Sequence, residues 1–591
     1  MLDVVVIDTG LDIMNKSFEN KYSGGKCFKL ENGRIAESND IMDDVGHGTG
    51  ITNIILSQVK VNIIPIKIID KEYFCDEDVL IHALQYVYHN IKCDVINMSL
   101  GINVCNRVEE LKTTIALLKN RGTIIVSAFN NDGSMSYPAL FDNVIGVDSS
   151  NMRILDSQYE YVENSPINIR GNGSNQRVLW LENKYKIVSG TSFAAAHITA
   201  LVCKYLNRGI KPEMILHSLK TDADHVILNP SPSDNKLTWK MKKAIVFPYN
   251  KEIHSVVKFN KSLCFQLVDV FDVRESGNVG KKLITYDESE YTIKNILKVD
   301  WDSDFDTLII GHINVLQKLL NFDIRKYLLL KCKIHKKNIY SFDFLSDDNL
   351  KLVGENVFFP YINDTHIPKN SLGKLYHISK PVIGVFGTGS KQGKFTLQLI
   401  LKRKLEKDGY SVGHLGTEPS ALLFGSDKVY PMGYENSVDI KGFDCISILN
   451  KYMYEIAQKS EIILVGSQSN TVPPYIGNEN YFTTKQIEFL LGTQPDAVIL
   501  CFNAHDDFVY IERTIKAIEG LVESKVIGAV LFPLKLKDGW AGSNGGMEKI
   551  TEEDFNKYSD YLMEKHGIKV YSLDDEKDID LLYEKCLNFF S

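Results

Sequence analysis

No run of eighteen or more apolar residues occurs anywhere in this chain, which excludes a membrane-spanning helix. The opening residues, MLDVVVIDTG, carry an acid at position 3 and no basic cluster before the apolar run, so they do not read as a secretory signal. Paired cysteines are missing as well. The ten cysteines (27, 75, 93, 105, 203, 264, 332, 445, 501 and 586) stand singly, without CxxC or metal-ligand spacing. Several lie inside apolar runs, such as Cys203 in ALVCKYL and Cys501 in AVILCFNA. That reads as buried thiols in a reducing compartment rather than a disulfide framework, and the expectation is a cytoplasmic protein with no metal site. Neither charge sign dominates. A formal net charge of −8 over 591 residues argues against a general nucleic-acid binder. Internal repeats and low-complexity tracts are absent too, which excludes solenoids and disordered tails.

What remains is ordinary globular composition, 44% hydrophobic and 24% charged, in a chain too long for one core. Short β-branched runs alternate with helical patterns, the signature of parallel α/β architecture. In the first third, strands are predicted at 3–8, 61–69, 94–99, 123–128 and 143–147, with helices including 78–89 and 107–120. The stretch NPSPSDNKLTWKMKK at 229–243 reads as a linker. A second block follows with strands at 244–248, 264–272 and 306–311, a helix near 314–321 and a segment 327–334. A third has strands at 381–386, 461–466, 496–502 and 526–532 and helices near 394–408, 443–460, 508–521 and 552–566. The domains expected are 1–225, 241–378 and 379–591.

Three segments carry chemistry in the first domain. Val4–Asp8 is a buried strand that delivers a carboxylate at its end. Gly46-His47-Gly48-Thr49-Gly50 opens a helix with an imidazole in its first turn. Ser189-Gly190-Thr191-Ser192-Phe193-Ala194-Ala195-Ala196-His197 is a glycine turn feeding a small-residue helix. A serine hydroxyl needs a base to take its proton, and the base needs a carboxylate to hold its tautomer. Asp8, His47 and Ser192 supply that set in the chain order known for subtilisin.

Across roughly residues 1–205 the chain resembles the subtilase family. The resemblance implies a subtilisin-like parallel-sheet serine endopeptidase with Ser192 as nucleophile, His47 as base and Asp8 as orienting carboxylate. Asn97-Met98-Ser99-Leu100-Gly101 is similar to the family's substrate-binding strand, which makes Ser99, Leu100 and Gly101 expected contacts for an extended peptide. Ser127–Gly133 is similar to its oxyanion-hole segment, where either Asn130 or Asn131 is the amide donor; gapless alignment favours Asn131. Ser136 falls where the family forms the floor of its S1 pocket. Ala196 replaces the family's common proline, and Gly50 stands where a second histidine is frequent. Asp8 lies close to the first residue, with no room for the family's pro-domain. This suggests an intracellular peptidase with a narrow target, controlled in some other way.

The third block opens with strand 381–386, the loop Gly387-Thr388-Gly389-Ser390-Lys391-Gln392-Gly393-Lys394-Phe395-Thr396 and a helix. A glycine loop between strand and helix, with a lysine at the helix start, holds phosphates. The first glycine comes one residue earlier than in the usual P-loop, and Phe395 moves the hydroxyl to Thr396. This spacing resembles dethiobiotin synthetase-like P-loop proteins and implies a P-loop NTPase-like α/β domain. Gly387, Gly393, Lys394 and Thr396 are its expected nucleotide contacts, with ATP and Mg²⁺ the implied ligands and Thr396 a candidate Mg²⁺ ligand. Gly416-Thr417, Glu418-Pro419 and the strand end 461–468 occupy positions of further contacts. No Walker-B aspartate is evident, so binding is expected ahead of hydrolysis. The proteolytic half needs no cofactor.

The middle block, read as a Rossmann-like α/β domain, begins KAIVFPYNKEIHSVVKFNKSL. With the P-loop block it is similar to clostridial-type peptide-maturation proteins found beside bacteriocin-like precursors. Its acidic run WDSDFD (301–306) reads as solvated loop. The leading expectation is leader removal from a ribosomally made peptide. A nucleotide-dependent binding or ligase-like module with an accessory peptide-recognition protease domain and a general intracellular peptidase are the alternatives.

Overall fold

The computed structural model describes residues 1–71, 75–131, 133–150, 155, 157–228, 237–354, 356–368, 371–433, 437–477, 482–536 and 547–591. It divides into two compact units: Met1–Ser231 with Pro368–His377, and Pro232–Ile367 with Ile378–Ser591. Residues 229–236 of the expected linker lie outside the described residues. No helix among the described residues is long and apolar enough to cross a membrane.

The first unit is built on a ten-stranded sheet. Its order is His225–Ile227, Tyr159–Val162, Ile167–Gly171, Ile145–Ser149, Ile124–Ala128, Val95–Met98, Asp3–Asp8, Asn62–Lys67, Lys26–Glu31 and Arg34–Ser38. The central strands are parallel, with Ile7 opposite Ile66 on one side and Met98 on the other. Side chains alternate across the pleat. Val4 and Val6 pack with helices His47–Gln58 and Thr191–Asn207, while Val5 and Ile7 pack with Glu77–Asn90 and Val108–Asn120. Being covered on both faces, the strand Asp3–Asp8 reads as continuous Val/Ile. The chain runs from it to a neighbour on one side and later returns on the other, so a crevice opens at its carboxyl end, where parallel sheets bind ligands.

The apolar run 61–69 pairs only over Asn62–Lys67, and the run at 143–147 pairs two residues later, at Ile145–Ser149. A hairpin not anticipated from the pattern joins Lys26–Glu31 to Arg34–Ser38 through Asn32 and Gly33, both at positive φ. Residues Ser371–His377 belong to this unit although they lie far along the chain. Met135 N–H donates to the Leu375 carbonyl at 3.0 Å, and Leu372 and Tyr376 pack on Phe129, Met135, Ala139 and Ile167. Lys374 Nζ lies 3.4 Å from Asp148 Oδ1.

The second unit holds two parallel sheets. One runs Lys294–Asn295, Gln266–Asp272, Lys243–Phe247, Thr307–Ile310, Asn338–Ser341, Val357–Phe358. The other runs Lys428–Val429, Val412–Gly416, Ile462–Gly466, Val382–Gly387, Ala497–Phe502, Lys525–Leu531, Val570–Ser572. A shared core joins them: Phe395, Leu399, Leu423 and Phe424 of the second pack with Val246, Val256, Val257 and Tyr340 of the first. Tyr340 also donates its hydroxyl to the Pro419 carbonyl at 2.7 Å. Segments 314–321 and 327–334 fall in helices Asn314–Leu319 and Ile324–Ile334. The carboxylates of 301–306 go to separate partners: Asp302 to His335 at 2.9 Å, Asp306 to the N–H groups of Lys242 and Lys243.

Gly46, at φ +100°, precedes the helix His47–Gln58, and a Cβ there would lie 2.3 Å from the Trp180 indole nitrogen. Gly46→Ala therefore combines left-handed strain with overpacking, and should cost about 2–3 kcal/mol. Denaturant unfolding of the full chain should show that loss.

Candidate active site and P-loop

Asp8 is fully buried at the carboxyl end of the central strand. Its Oδ1 accepts from the Thr9 N–H at 2.8 Å and lies 2.7 Å from His47 Nδ1. Oδ2 is buried and has no hydrogen-bond partner among the described residues. Burial disfavours the His47 imidazolium, but the charge and hydrogen bond of Asp8, with Asp43 behind them, outweigh it and raise the pKa above 6.5.

Asp43 is a functional residue that the motif reading missed. It is buried, and it organises the approach to His47 from the loop. Oδ1 accepts from Gly46 N–H at 2.7 Å and Val45 N–H at 2.9 Å; Oδ2 accepts from Thr49 N–H at 2.9 Å and its hydroxyl at 2.7 Å. The only signal in the sequence is an aspartate four residues before the histidine, and acidic residues are common in any loop.

Ser192 lies in the first turn of Thr191–Asn207, where N–H groups have no intrahelical partner. This helix packs on the one that carries His47, and the His47 and Phe193 rings are 5.4 Å apart. The Ser192 hydroxyl donates to the Ser99 carbonyl at 3.1 Å. No hydrogen bond joins it to His47 among the described residues, and catalytic hydrogen bonds commonly tighten only when substrate binds. Ser99 in turn donates its hydroxyl to the Ser192 carbonyl at 3.1 Å and accepts from Asn97 at 2.9 Å, while Asn97 accepts from Thr199 at 2.7 Å. The strand end Ser99–Gly101 is thus clamped to the nucleophile's helix. His197, five residues after Ser192, is a core histidine: its ring nitrogens lie 2.6 Å from the Gln58 amide and 2.9 Å from Gln176 Oε1.

The two asparagines have different surroundings. Asn130 donates its amide to Asn103 Oδ1 at 3.2 Å, and its N–H donates to Ser136 Oγ at 2.8 Å. Asn131 Oδ1 accepts from the Thr191 N–H at 2.9 Å and the Thr191 hydroxyl at 3.2 Å. The Thr191 N–H settles the amide's orientation, because only the oxygen can accept from it, while the Thr191 hydroxyl also donates to the Phe129 carbonyl at 2.5 Å. Nδ2 of Asn131 is left beside the turn that precedes Ser192. Asp132 of the same segment lies outside the described residues. Leu100 is buried, and Ser136 is fully buried against Gly101, where a Cβ would meet Ser136 Oγ at 2.5 Å. Only glycine allows that approach.

In the second unit, Val382–Gly387 leads into the loop and Gly393, at φ +74°, starts helix Lys394–Lys407. Lys394 is buried; its Nζ donates to the Gly389 carbonyl at 2.6 Å, and burial pulls its pKa down to about 8. The loop closes on itself through Gln392, which accepts from Gly389 N–H at 3.0 Å and donates to Thr388 Oγ at 2.7 Å. Gly393, Lys394 and Thr396 line an open cavity of about 480 Å³. Gly387, at the end of the strand before the loop, is not among the residues that line it. It is a close-packing position whose carbonyl accepts from Thr471 N–H at 2.8 Å, with Gln392 Oε1 2.5 Å from where its Cβ would be. Phe395 is buried against Phe424 in the core shared by the two sheets, so the hydroxyl passes to Thr396. Glu418 and Ser467 share the cavity wall. Burial raises the Glu418 carboxyl above its ordinary value, opposed by Gln468 and by the Lys251 and Lys394 charges. These groups fit a polyphosphate: a buried ammonium, a helix N-terminus and hydroxyls on one wall. Were Mg²⁺ to accompany it, Thr396 and Glu418 would supply oxygen donors from the cavity wall.

The chain matches the Subtilase family over residues 2–241, and over residues 370–541 it matches "Domain of unknown function (DUF1611_C) P-loop domain". It is similar to the major intracellular serine protease of Bacillus subtilis (strain 168), 28% identical over 225 residues, covering 34% of this chain and 69% of that protein. It is similar to a thermophilic serine proteinase of Bacillus sp. (strain AK1), 24% identical and covering 38% of this chain and 57% of that one. Among solved structures, a cold adapted subtilisin-like serine proteinase aligns with 39% of this chain and 84% of its own, at 21% identity and a TM-score of 0.31. Residues 2–241 thus carry a subtilase domain and residues 370–541 a P-loop domain, and the enzyme class of the chain is that of a serine endopeptidase.

Proposed function

We propose that the chain is an intracellular processing endopeptidase that removes the leader of a ribosomally made, bacteriocin-like peptide, and that its P-loop domain binds ATP with Mg²⁺. The observation that carries the proteolytic half is the 2.7 Å contact of buried Asp8 with His47, one helix away from Ser192. Ser192 Oγ attacks the scissile carbonyl while His47 Nε2 takes its proton. Asp8 holds Nδ1 protonated and stabilises the imidazolium. Asn131 Nδ2 and the Ser192 N–H donate to the developing oxyanion, and His47 then protonates the leaving amine. Water, deprotonated by the same base, releases the acyl group. Ser99, Leu100 and Gly101 pair with the extended substrate, and Ser136 closes the pocket beyond.

Support for an intracellular setting comes from the cysteines, all free and mostly buried, and from likeness to an intracellular protease. We read the six-stranded sheet as a Rossmann-like block that supports the nucleotide cavity. ATP supplies phosphates for the loop; Lys394 and the N–H groups that start its helix hold them, and Thr396 and Glu418 orient the cation.

A fluorophosphonate probe should label the wild type and leave Ser192→Ala unlabelled; equal labelling would defeat the proteolytic assignment. On a cleaved peptide, Asn131→Ala should lower kcat about 10²–10³-fold, whereas Asn130→Ala should stay within about ten-fold of wild type. Incubation with precursor peptides encoded beside the gene, followed by mass spectrometry, tests leader removal; cleavage of unrelated peptides at similar rates would favour general turnover.

The labelling rate should fall as pH drops through the His47 pKa, which lies above 6.5. Asp43→Asn removes a carboxylate that favours the imidazolium, so the acid limb of the profile should move to lower pH. An unmoved limb would remove Asp43 from the site's electrostatics.

Millimolar ATP–Mg²⁺ should raise the thermal midpoint of the wild type and not that of Lys394→Ala. No shift in the wild type would overturn the nucleotide reading.

A further inference from the structure

The cavity that faces the P-loop has a second side. Helix Lys251–Lys258 buries Ile253, Val256 and Val257 in the core of the six-stranded sheet. Lys251, His254, Ser255 and Lys258 all line the cavity. Their spacing of i, i+3, i+4 and i+7 puts them on one helical stripe. Asn250 caps the helix, its side chain accepting from the Ile253 N–H at 3.2 Å, and donates to the His312 carbonyl at 3.1 Å, which fixes the helix against the sheet.

The lining charges are unbalanced. Four lysines (251, 258, 391 and 394) line the cavity with one carboxylate, Glu418, and no aspartate, while Glu252 lies 3.9 Å from the Lys251 ammonium. Lys394 and the glycine loop account for a nucleotide's phosphates, and Mg²⁺ would offset part of the charge those phosphates bring. The helix contributes two further ammonium groups and an imidazole, from a part of the chain outside the P-loop motif. On the facing strand end, Ser467 lines the same cavity, and its Oγ is buried with no hydrogen-bond partner among the described residues. An unpaired buried hydroxyl costs free energy unless something in the cavity bonds it. A volume of about 480 Å³ is within the range of small-ligand sites.

We propose that the Lys251–Lys258 helix is a second anion subsite, which holds a small carboxylate- or phosphate-bearing molecule in the cavity together with the nucleotide. Lys251 and Lys258 are its cationic contacts, and His254 and Ser255, between them on the stripe, donate or accept alongside. Burial and the neighbouring Lys258 charge both lower the His254 pKa, so at neutral pH its imidazole is a neutral hydrogen-bonding group rather than a third cation. The subsite makes the unit a two-ligand site, with the nucleotide on one side and an acidic small molecule on the other. This inference rests on the nucleotide reading of the P-loop.

The full chain is saturated with AMP-PNP–Mg²⁺, which fills the loop through the γ-phosphate position, and is then titrated calorimetrically with malonate and, separately, inorganic phosphate. At least one anion should bind on top of AMP-PNP. Malonate alone identifies a carboxylate ligand, and phosphate alone a phosphate ester. In Lys251→Ala/Lys258→Ala the anion should bind about ten-fold or more weakly, with AMP-PNP affinity changed by less than about three-fold. Lys251→Arg/Lys258→Arg should keep the anion, which shows that charge rather than helix integrity is at stake. The proposal is overturned if neither anion binds, if binding survives the double alanine variant, or if that variant loses AMP-PNP as strongly as the anion. If AMP-PNP gives no heat while the anion still binds through Lys251 and Lys258, the subsite stands and the nucleotide reading falls.

Discussion

An ionised carboxylate with no solvent contact is expensive unless it is paired, and Asp8 is such a group in the middle of the first unit's sheet. Among the described residues its hydrogen-bond partners are the Thr9 N–H and His47. The strand cannot shift by a residue without turning Asp8 away from His47 and into the apolar layer packed by Val5 and Ile7. His47 cannot leave without stranding the charge. The loop ahead of His47 is therefore locked by its own buried carboxylate, Asp43, and by a glycine that fits under Trp180. The reactive geometry and the packing of the unit answer to the same buried charge.

The second unit poses the same problem with the sign reversed. Lys394 is buried at a helix start, where its ammonium donates to the Gly389 carbonyl. Gln392 fills the interior of the loop. A phosphate entering there would replace both contacts with stronger, charge-assisted ones. Phe395 explains why the motif is irregular: the ring anchors the first helical turn into the core shared with the six-stranded sheet, leaving the next residue to carry the hydroxyl.

The parallel α/β character, the central strand and the helices at 47, 191 and 394 were legible because each has a periodic apolar pattern bounded by glycine. So were the residues that the structure brings together around Asp8. What escaped reading was either nonlocal or ambiguous. Gly46 is required by an indole 134 positions later in the chain, which no local pattern reveals. The hairpin at 26–38 did carry a signal, Asn32-Gly33, the strongest short-range turn cue, but its strands lack clean alternation and went unread. Asn130 and Asn131 are indistinguishable by composition. Their partners separate them: the Thr191 N–H on Asn131, and Asn103 and Ser136 on Asn130. At Gly387 the close packing against Gln392 is equally nonlocal, and a glycine in a loop motif does not announce it.

The segment Ser371–His377 comes back to the first unit after more than a hundred residues spent in the second. It offers the Leu375 carbonyl to Met135, two apolar side chains to the cluster around Phe129, and Lys374 to Asp148 and to the Asn130 carbonyl at 3.4 Å. Asn130 adjoins the residue whose amide faces the nucleophile's turn. The gene therefore cannot be divided at one point into a whole peptidase and a whole P-loop protein. A break anywhere between 232 and 367 leaves the peptidase dependent, for the bracing of that loop, on a short sequence held by the other fragment.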